Sequence, residues 1–157
     1  MNPQLLARAN NRVERYAKWT TSDADILQRR WLGIDVDPIR PAGISSTDEE
    51  HELALFRTRK IRDFLRVQLG WSVLILGDSG NGGHLLSRID LPNDNESRDL
   101  IKRCLESLDF MFSDEKVTVD TSVFNAARIW KLYGTMSCKG DNVPERPHRL
   151  ARILEVR

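Results

Sequence analysis

Two aspartates stand two residues apart in Leu32-Gly-Ile-Asp-Val-Asp-Pro38. On an extended strand Asp35 and Asp37 leave the same face, while Ile34 and Val36 point to the opposite, apolar side. Carboxylates so close repel each other, and either a proton or a shared hard divalent cation relieves that repulsion. The same Asp-x-Asp-Pro pattern also suits a strand that ends in an Asx turn. A third acid, Asp120, closes Lys116-Val-Thr-Val-Asp120, where alternation turns Val117 and Val119 inward. It serves there as a further acidic group on the open face or as the N-cap of a helix starting near Thr121 or Ser122. Three carboxylates gathered on one sheet face match the needs of two-metal phosphoryl transfer.

A glycine-rich run, Ser79-Gly-Asn-Gly-Gly-His84, is the second candidate. Glycines let the backbone approach an anion and expose its N–H groups, and His84 opens a strand on the side shared with Leu86 and Arg88. The alternative is a hairpin loop with a surface histidine. No Gly-Lys-Ser/Thr follows, so this is no P-loop. Beyond the third acid, Arg128, Lys131 and Lys139 follow one another without an intervening carboxylate, a cluster suited to a triphosphate or a nucleic-acid backbone. An amphipathic helix face explains Arg128 and Lys131 equally well, with Trp130 packing. Cys104 falls on an apolar stripe, His51 and His148 have no partner pattern, and Cys138 reads as an incidental thiol.

The elements that must position these groups follow from periodicity and punctuation. Leu6, Ala9, Val13, Tyr16 and Ala17 predict an amphipathic first helix, and Trp31 to Val36 a strand stopped by Pro38. Thr47-Asp-Glu-Glu50 has capping-box spacing and begins a long helix carried by Ala54, Ile61, Leu65 and Leu69 to a stop at Gly70. Strands are predicted at Ser72 to Leu76 and His84 to Leu91, a second long helix through Leu100 to Phe112, and a strand at Lys116 to Asp120. A short helix is predicted from Phe124 to Leu132, ending at Gly134, and His148 to Val156 as a last strand. From Trp31 to Asp120 the order is β-α-β-β-α-β, an α+β ferredoxin-like arrangement with an antiparallel sheet and its helices on one face. Right-handed crossovers then place the first and third strands side by side in the middle, with the fourth outside the first. Asp35, Asp37, His84 and Asp120 converge on the open face.

Length and composition are compatible with one domain. The chain has 157 residues, of which 40% are hydrophobic and 30% charged, a globular mixture. No apolar run approaches the ~18 residues of a membrane span, and the N-terminus lacks a signal-peptide layout, so a soluble, cytoplasmic protein is expected. Two cysteines exclude a disulfide framework and a four-thiolate zinc site. The net charge of +1 argues against a uniformly basic polyanion binder, but it conceals segregation. Arg57, Arg59, Lys60, Arg62 and Arg66 gather in one place, Asp48, Glu49, Glu50 and Glu52 in another.

Taken in order on a βαββαβ frame, Leu32-Gly-Ile-Asp-Val-Asp-Pro38, Ser79-Gly-Asn-Gly-Gly-His-Leu85 and Val117-Thr-Val-Asp120 resemble the three signature motifs of the archaeo-eukaryotic primase superfamily, particularly its plasmid, phage and mobile-element members. Ser122 to Thr135 with Lys139-Gly140 is similar to the segment that follows the third motif, so the resemblance spans about Arg29 to Glu145. It implies that Asp35, Asp37 and Asp120 bind Mg²⁺ or Mn²⁺. It also implies that His84 contacts the incoming nucleotide's phosphates, assisted by the backbone at Ser79, Gly80 and Gly82, with Arg128 and Lys139 in supporting roles. The implied activity joins nucleoside triphosphates on a single-stranded DNA template, with a replicative helicase as a possible partner and no membrane. Two departures stand out: Gly82 replaces a serine often found two residues before the motif histidine, and Cys138 stands where a basic residue is common. Relatives usually carry a further N-terminal segment and often a helicase region, so residues 1–157 are expected to form one domain of a larger replication protein. The competing expectations are a non-catalytic RNA-binding module of the same βαββαβ order and an inactive replication-initiation fragment.

Overall fold

The computed structural model describes residues 2–5, 15, 16, 18, 20–71 and 74–156. Leu6, Ala9, Val13 and Ala17, which carry the predicted first helix, lie outside them, as do Ser72 and Val73 at the start of a predicted strand. After a 3-10 turn at Asp23–Asp25 come β1 (Gln28–Pro38), α1 (Asp48–Val67), β2 (Leu74–Asp78), β3 (Gly83–Pro92), α2 (Asn95–Phe112) and β4 (Val117–Val119). A 3-10 turn at Thr121–Phe124 then leads to β5 (Met136–Ser137), β6 (Arg149–Leu150) and β7 (Arg152–Val156). The predicted βαββαβ order is thus present. The sheet runs β4-β1-β3-β2-β7 with every neighbouring pair antiparallel, which places β1 and β3 centrally and β4 outside β1 as predicted. The predicted terminal strand divides: β6 pairs with β5 in a small separate ribbon, and β7 closes the far edge of the main sheet.

Alternation along β1 explains which face is covered. Leu32, Ile34 and Val36 are buried in one apolar cluster with Ile61 and Leu65 of α1, Ile101, Leu105 and Leu108 of α2, and Val117 and Val119 of β4. The long apolar side chains of both helices therefore lie against one side of the sheet, where burial contributes about 25 cal/mol per Å² of apolar area removed from water. Both helices start on local signals. The Thr47 hydroxyl accepts from the Glu50 N–H at 3.2 Å while the Glu50 carboxylate accepts from the Thr47 N–H at 2.9 Å, the predicted capping box. Asp94 caps α2 through the Ser97 N–H at 2.7 Å. Gly70, at φ +69°, stands just past the end of α1, the stop that the sequence predicts.

The predicted helix from Phe124 to Leu132 does not form. Beyond the 3-10 turn at Thr121–Phe124, residues 125–135 run as an irregular strap across the open face, leaving Ile129 91% and Leu132 72% exposed. The physical reason is tertiary. Trp130 lies on Gly33 of β1 and Tyr133 on Gly77 of β2, where a Cβ would stand 2.6 Å and 2.4 Å from their side-chain atoms. Two aromatic rings seated on two different strands demand an extended spacing that one helical turn does not provide, and tertiary packing overrides the local propensity. Arg128 and Lys131 accordingly share no helix face.

Candidate functional site

Because Ile34 and Val36 point into the core, Asp35 and Asp37 both emerge on the open face, with side chains 22% and 33% exposed. Partial burial pushes the Asp37 carboxyl above its ordinary range, and the neighbouring Asp35 charge pushes it further. Arg40, 3.3 Å from Asp37, and Lys139 pull in the opposite direction without cancelling the rise. Asp120 joins from the end of β4: its N–H donates to the Asp35 carbonyl at 2.8 Å. Its carboxylate accepts from the Ser122 N–H at 2.7 Å, so it caps the following turn and borders the site at once.

His84 is the direct cross-strand partner of Asp35 in the β1–β3 register. Its Nε2 stands 3.3 Å from Asp35 Oδ1, and its Nδ1 is 3.1 Å from the Tyr133 hydroxyl. The ring lies 4.4 Å, centroid to centroid, from Trp130, and the residue is only 4% exposed. Burial pushes the Tyr133 phenol above its ordinary pKa, with the Asp35 and Asp78 charges adding to the rise and a hydrogen bond from Trp130 opposing it. Tyr133 therefore holds its proton at neutral pH.

The glycine-rich loop behaves differently from its expected role. The Ser79 N–H donates to the Gly82 carbonyl, the Gly80 N–H to Asp78 Oδ1, and the Asn81 and Gly82 N–H groups to the Ser79 hydroxyl. All four backbone donors are thus engaged inside the loop rather than presented to an anion. The glycines answer to close approach instead: a Cβ on Gly82 would stand 2.2 Å from the Val36 carbonyl, and one on Gly80, at φ +89°, would meet Ser137 at 2.6 Å. Ser79 and Asn81 line the site through their side chains.

Beneath the loop lies a buried polar network that sequence reasoning missed. His51 Nε2 pairs with Asp78 Oδ1 at 2.9 Å, the two side chains being 7% and 2% exposed. Burial alone would raise the Asp78 pKa, but the His51 hydrogen bond, the Gly80 N–H and the nearby His51 and Arg152 charges bring it below the ordinary carboxylate range. Asn81, also buried, accepts from the Ser46 N–H and donates to the Ser137 hydroxyl, each at 2.8 Å. The start of α1, the loop and β5 are held together through these two residues. The only sequence signal was a histidine on the apolar side of a helix.

These groups enclose a pocket of about 460 Å³. Asp35, Asp37, Ser79, His84, Asp120, Arg128 and Lys139 all line it, as does Lys131 of the same cationic cluster, together with Asn81, Trp130 and Thr135, which the sequence did not mark as site residues. Gly80 and Gly82 are not among its lining residues. Arg128 bonds the Ser122 carbonyl and hydroxyl, and Lys131 Nζ donates to the Met136 carbonyl at 2.7 Å. Neither they nor Lys139 pairs with a carboxylate among the described residues. Compared with protein-family models, curated proteins and solved structures, the chain matches none.

Among the described residues, no group of three or more His, Cys, Asp or Glu side chains is placed to hold a metal ion by itself. The donor chemistry nevertheless suits a hard divalent cation. Asp35 and Asp37 offer acid oxygens, burial and then the Asp35 charge raise the Asp37 pKa, and Mg²⁺ is commonly held by one or two carboxylates plus substrate phosphates.

Proposed function

We propose that this chain is a template-directed nucleotidyltransferase of the primase-polymerase type, joining nucleoside triphosphates on single-stranded DNA. One observation carries the reading: two strand carboxylates, a histidine across the strand from Asp35, and three cations that form no ion pair among the described residues share a single pocket of nucleotide-binding size. Asp35 and Asp37 would hold Mg²⁺ or Mn²⁺, with Asp120 bordering the same space. A cation held there would supply charge neutralisation at the triphosphate and lower the pKa of the attacking hydroxyl.

The protein's own groups do the rest. The pocket orients the 3′-hydroxyl oxygen towards the α-phosphorus; that O–P bond forms, the α–β phosphoanhydride bond breaks, and pyrophosphate leaves while the hydroxyl proton passes to solvent or a carboxylate. Lys139, Lys131 and Arg128 offset charge on the phosphates, and His84 donates from its ring to a phosphate oxygen. With the loop N–H groups internally engaged, phosphate binding falls to these side chains. The non-catalytic RNA-binding reading is less well supported, because stacking modules carry aromatics on the central strands whereas the open face of β3 presents His84, Leu86 and Arg88 beside two carboxylates.

Isothermal titration of dATP with Mn²⁺ tests the reading. Wild type is expected to bind dATP in a cation-dependent manner, and the Asp35→Ala, Asp37→Ala double variant to lose that binding. Wild type that binds neither, or a double variant that binds both unchanged, would sink it.

A further inference from the structure

A chain of polar contacts leads from the strap into the pocket, hydrogen-bonded from Trp130 through Tyr133 to His84 and closed by the Asp35 carboxylate beside the ring, and the chemistry of its ends gives it a direction. Trp130 Nε1, which can only donate, lies 3.4 Å from the Tyr133 hydroxyl oxygen. That hydroxyl lies 3.1 Å from His84 Nδ1, and His84 Nε2 lies 3.3 Å from Asp35 Oδ1, which as a carboxylate can only accept. With Trp130 donating into its oxygen, Tyr133 gives its own proton to Nδ1, so the neutral ring carries its hydrogen on Nε2. The opposite tautomer would turn the Nε2 lone pair on a carboxylate and leave the Tyr133 proton without this acceptor. A second observation is independent of these distances. Gly77 is the cross-strand partner of His84 on β2, and a Cβ there would stand 2.4 Å from the Tyr133 hydroxyl oxygen. The missing side chain leaves the hydroxyl its place against the histidine.

We infer that Tyr133 is a positioning residue: it fixes His84 as an Nε2–H donor aimed at the carboxylate side of the pocket, where a nucleotide phosphate oxygen would take that hydrogen. The second half rests on the nucleotidyltransferase reading; the first does not. Asp35 is the anion that the Nε2 edge faces at 3.3 Å, and a phosphate oxygen would take the Nε2–H from the pocket side.

The test is a long-range ¹H–¹⁵N correlation spectrum of histidine-labelled protein, which distinguishes the two tautomers, combined with Mn²⁺–dATP titration. His84 of wild type is expected as Nε2–H. Tyr133→Phe keeps the ring and removes the hydroxyl, and the tautomer ratio is expected to fall about three- to tenfold, the worth of one hydrogen bond. Gly77→Ala keeps the phenol but displaces it, and should shift the ratio the same way; it carries the test should Tyr133→Phe fail to fold. Nucleotide affinity is expected to weaken by a similar factor in each, with Tyr133→Phe adding nothing in a His84→Ala background. A wild-type Nδ1–H tautomer, or a ratio unmoved by both variants, overturns the inference. Correct tautomers in a protein that binds no nucleotide would uphold the positioning of His84 and remove the nucleotidyltransferase reading instead.

Discussion

Replacing Gly33 by alanine probes the seat of the strap over the site. A Cβ at this position would stand 2.6, 2.7 and 3.2 Å from three ring atoms of Trp130, which are its three nearest neighbours. Carbon atoms prefer about 3.5–4.0 Å, so the indole must retreat from β1 by about 1 Å, which disturbs its packing on the His84 ring, 4.4 Å away centroid to centroid. Overpacking of this kind costs about 1–3 kcal/mol, and the lower half of that range applies because Trp130 is only partly buried and sits on an irregular segment. The same substitution in a Trp130→Ala background meets no ring. There the backbone term alone remains, and alanine in a strand interior is favoured over glycine by about 0.5–1 kcal/mol. Gly33→Ala should therefore destabilise the wild type and stabilise the Trp130→Ala protein, a change of sign measurable by urea unfolding of the four proteins in the cycle. Equal effects in both backgrounds, within about 0.5 kcal/mol, would refute the placement of Trp130 on β1.

Removing the imidazole in His51→Ala leaves the buried Asp78 without its main partner, which should cost about 3–5 kcal/mol in urea unfolding near neutral pH; a loss under 1 kcal/mol would contradict a paired buried carboxylate. The same pair gives a pH dependence. Asp78 is held below its ordinary pKa in the folded state, so the unfolded chain binds its proton first; the stabilisation is full above about pH 4 and is lost as pH falls through the folded value. Unfolding followed from pH 5 to pH 2 should show that acid-labile share shrink in His51→Ala, and an identical profile would exclude it. Midway along α1, Arg57 hydrogen-bonds the Asp114 carboxylate, which with the Lys116 and Val117 N–H groups lowers its pKa from 3.8 to about 2. Arg57→Ala should return Asp114 towards 3.8 in a carboxyl-carbon NMR titration, whereas an unmoved midpoint would assign the shift to the backbone donors.

Much of this was readable because the signals are local. Period-two alternation in Ile34-Asp-Val-Asp37 assigns both the core face and the acidic face of β1 with no further information, and Thr47 with Glu50 announces the start of α1 in four residues. The order of elements then fixes the neighbours of each strand, which is why Asp35, His84 and Asp120 meet as expected. What was illegible depends on contacts distant in the chain. The stretch from Phe124 to Leu132 has helical composition, and only the bare positions at Gly33 and Gly77, 97 and 56 residues before their aromatic partners, make the strap the better solution. Gly33 and Gly77 stand inside strand patterns, a recognised mark of close approach, yet nothing local says what approaches. His51 and Asp78 likewise lie on different elements 27 residues apart, so neither advertises the other. The glycine-rich loop misled for another reason: the Ser79 hydroxyl and the Asp78 carboxylate compete for the same N–H groups that an anion would use.

Primer extension on a single-stranded DNA template, with Mn²⁺ or Mg²⁺ and all four deoxynucleoside triphosphates, tests the central claim most directly. The wild-type chain is expected to add nucleotides complementary to the template, His84→Ala to be slowed, and the Asp35→Ala, Asp37→Ala protein to add none. Wild type that stays inert while binding Mn²⁺–dATP, or unimpaired synthesis by the double variant, would contradict it.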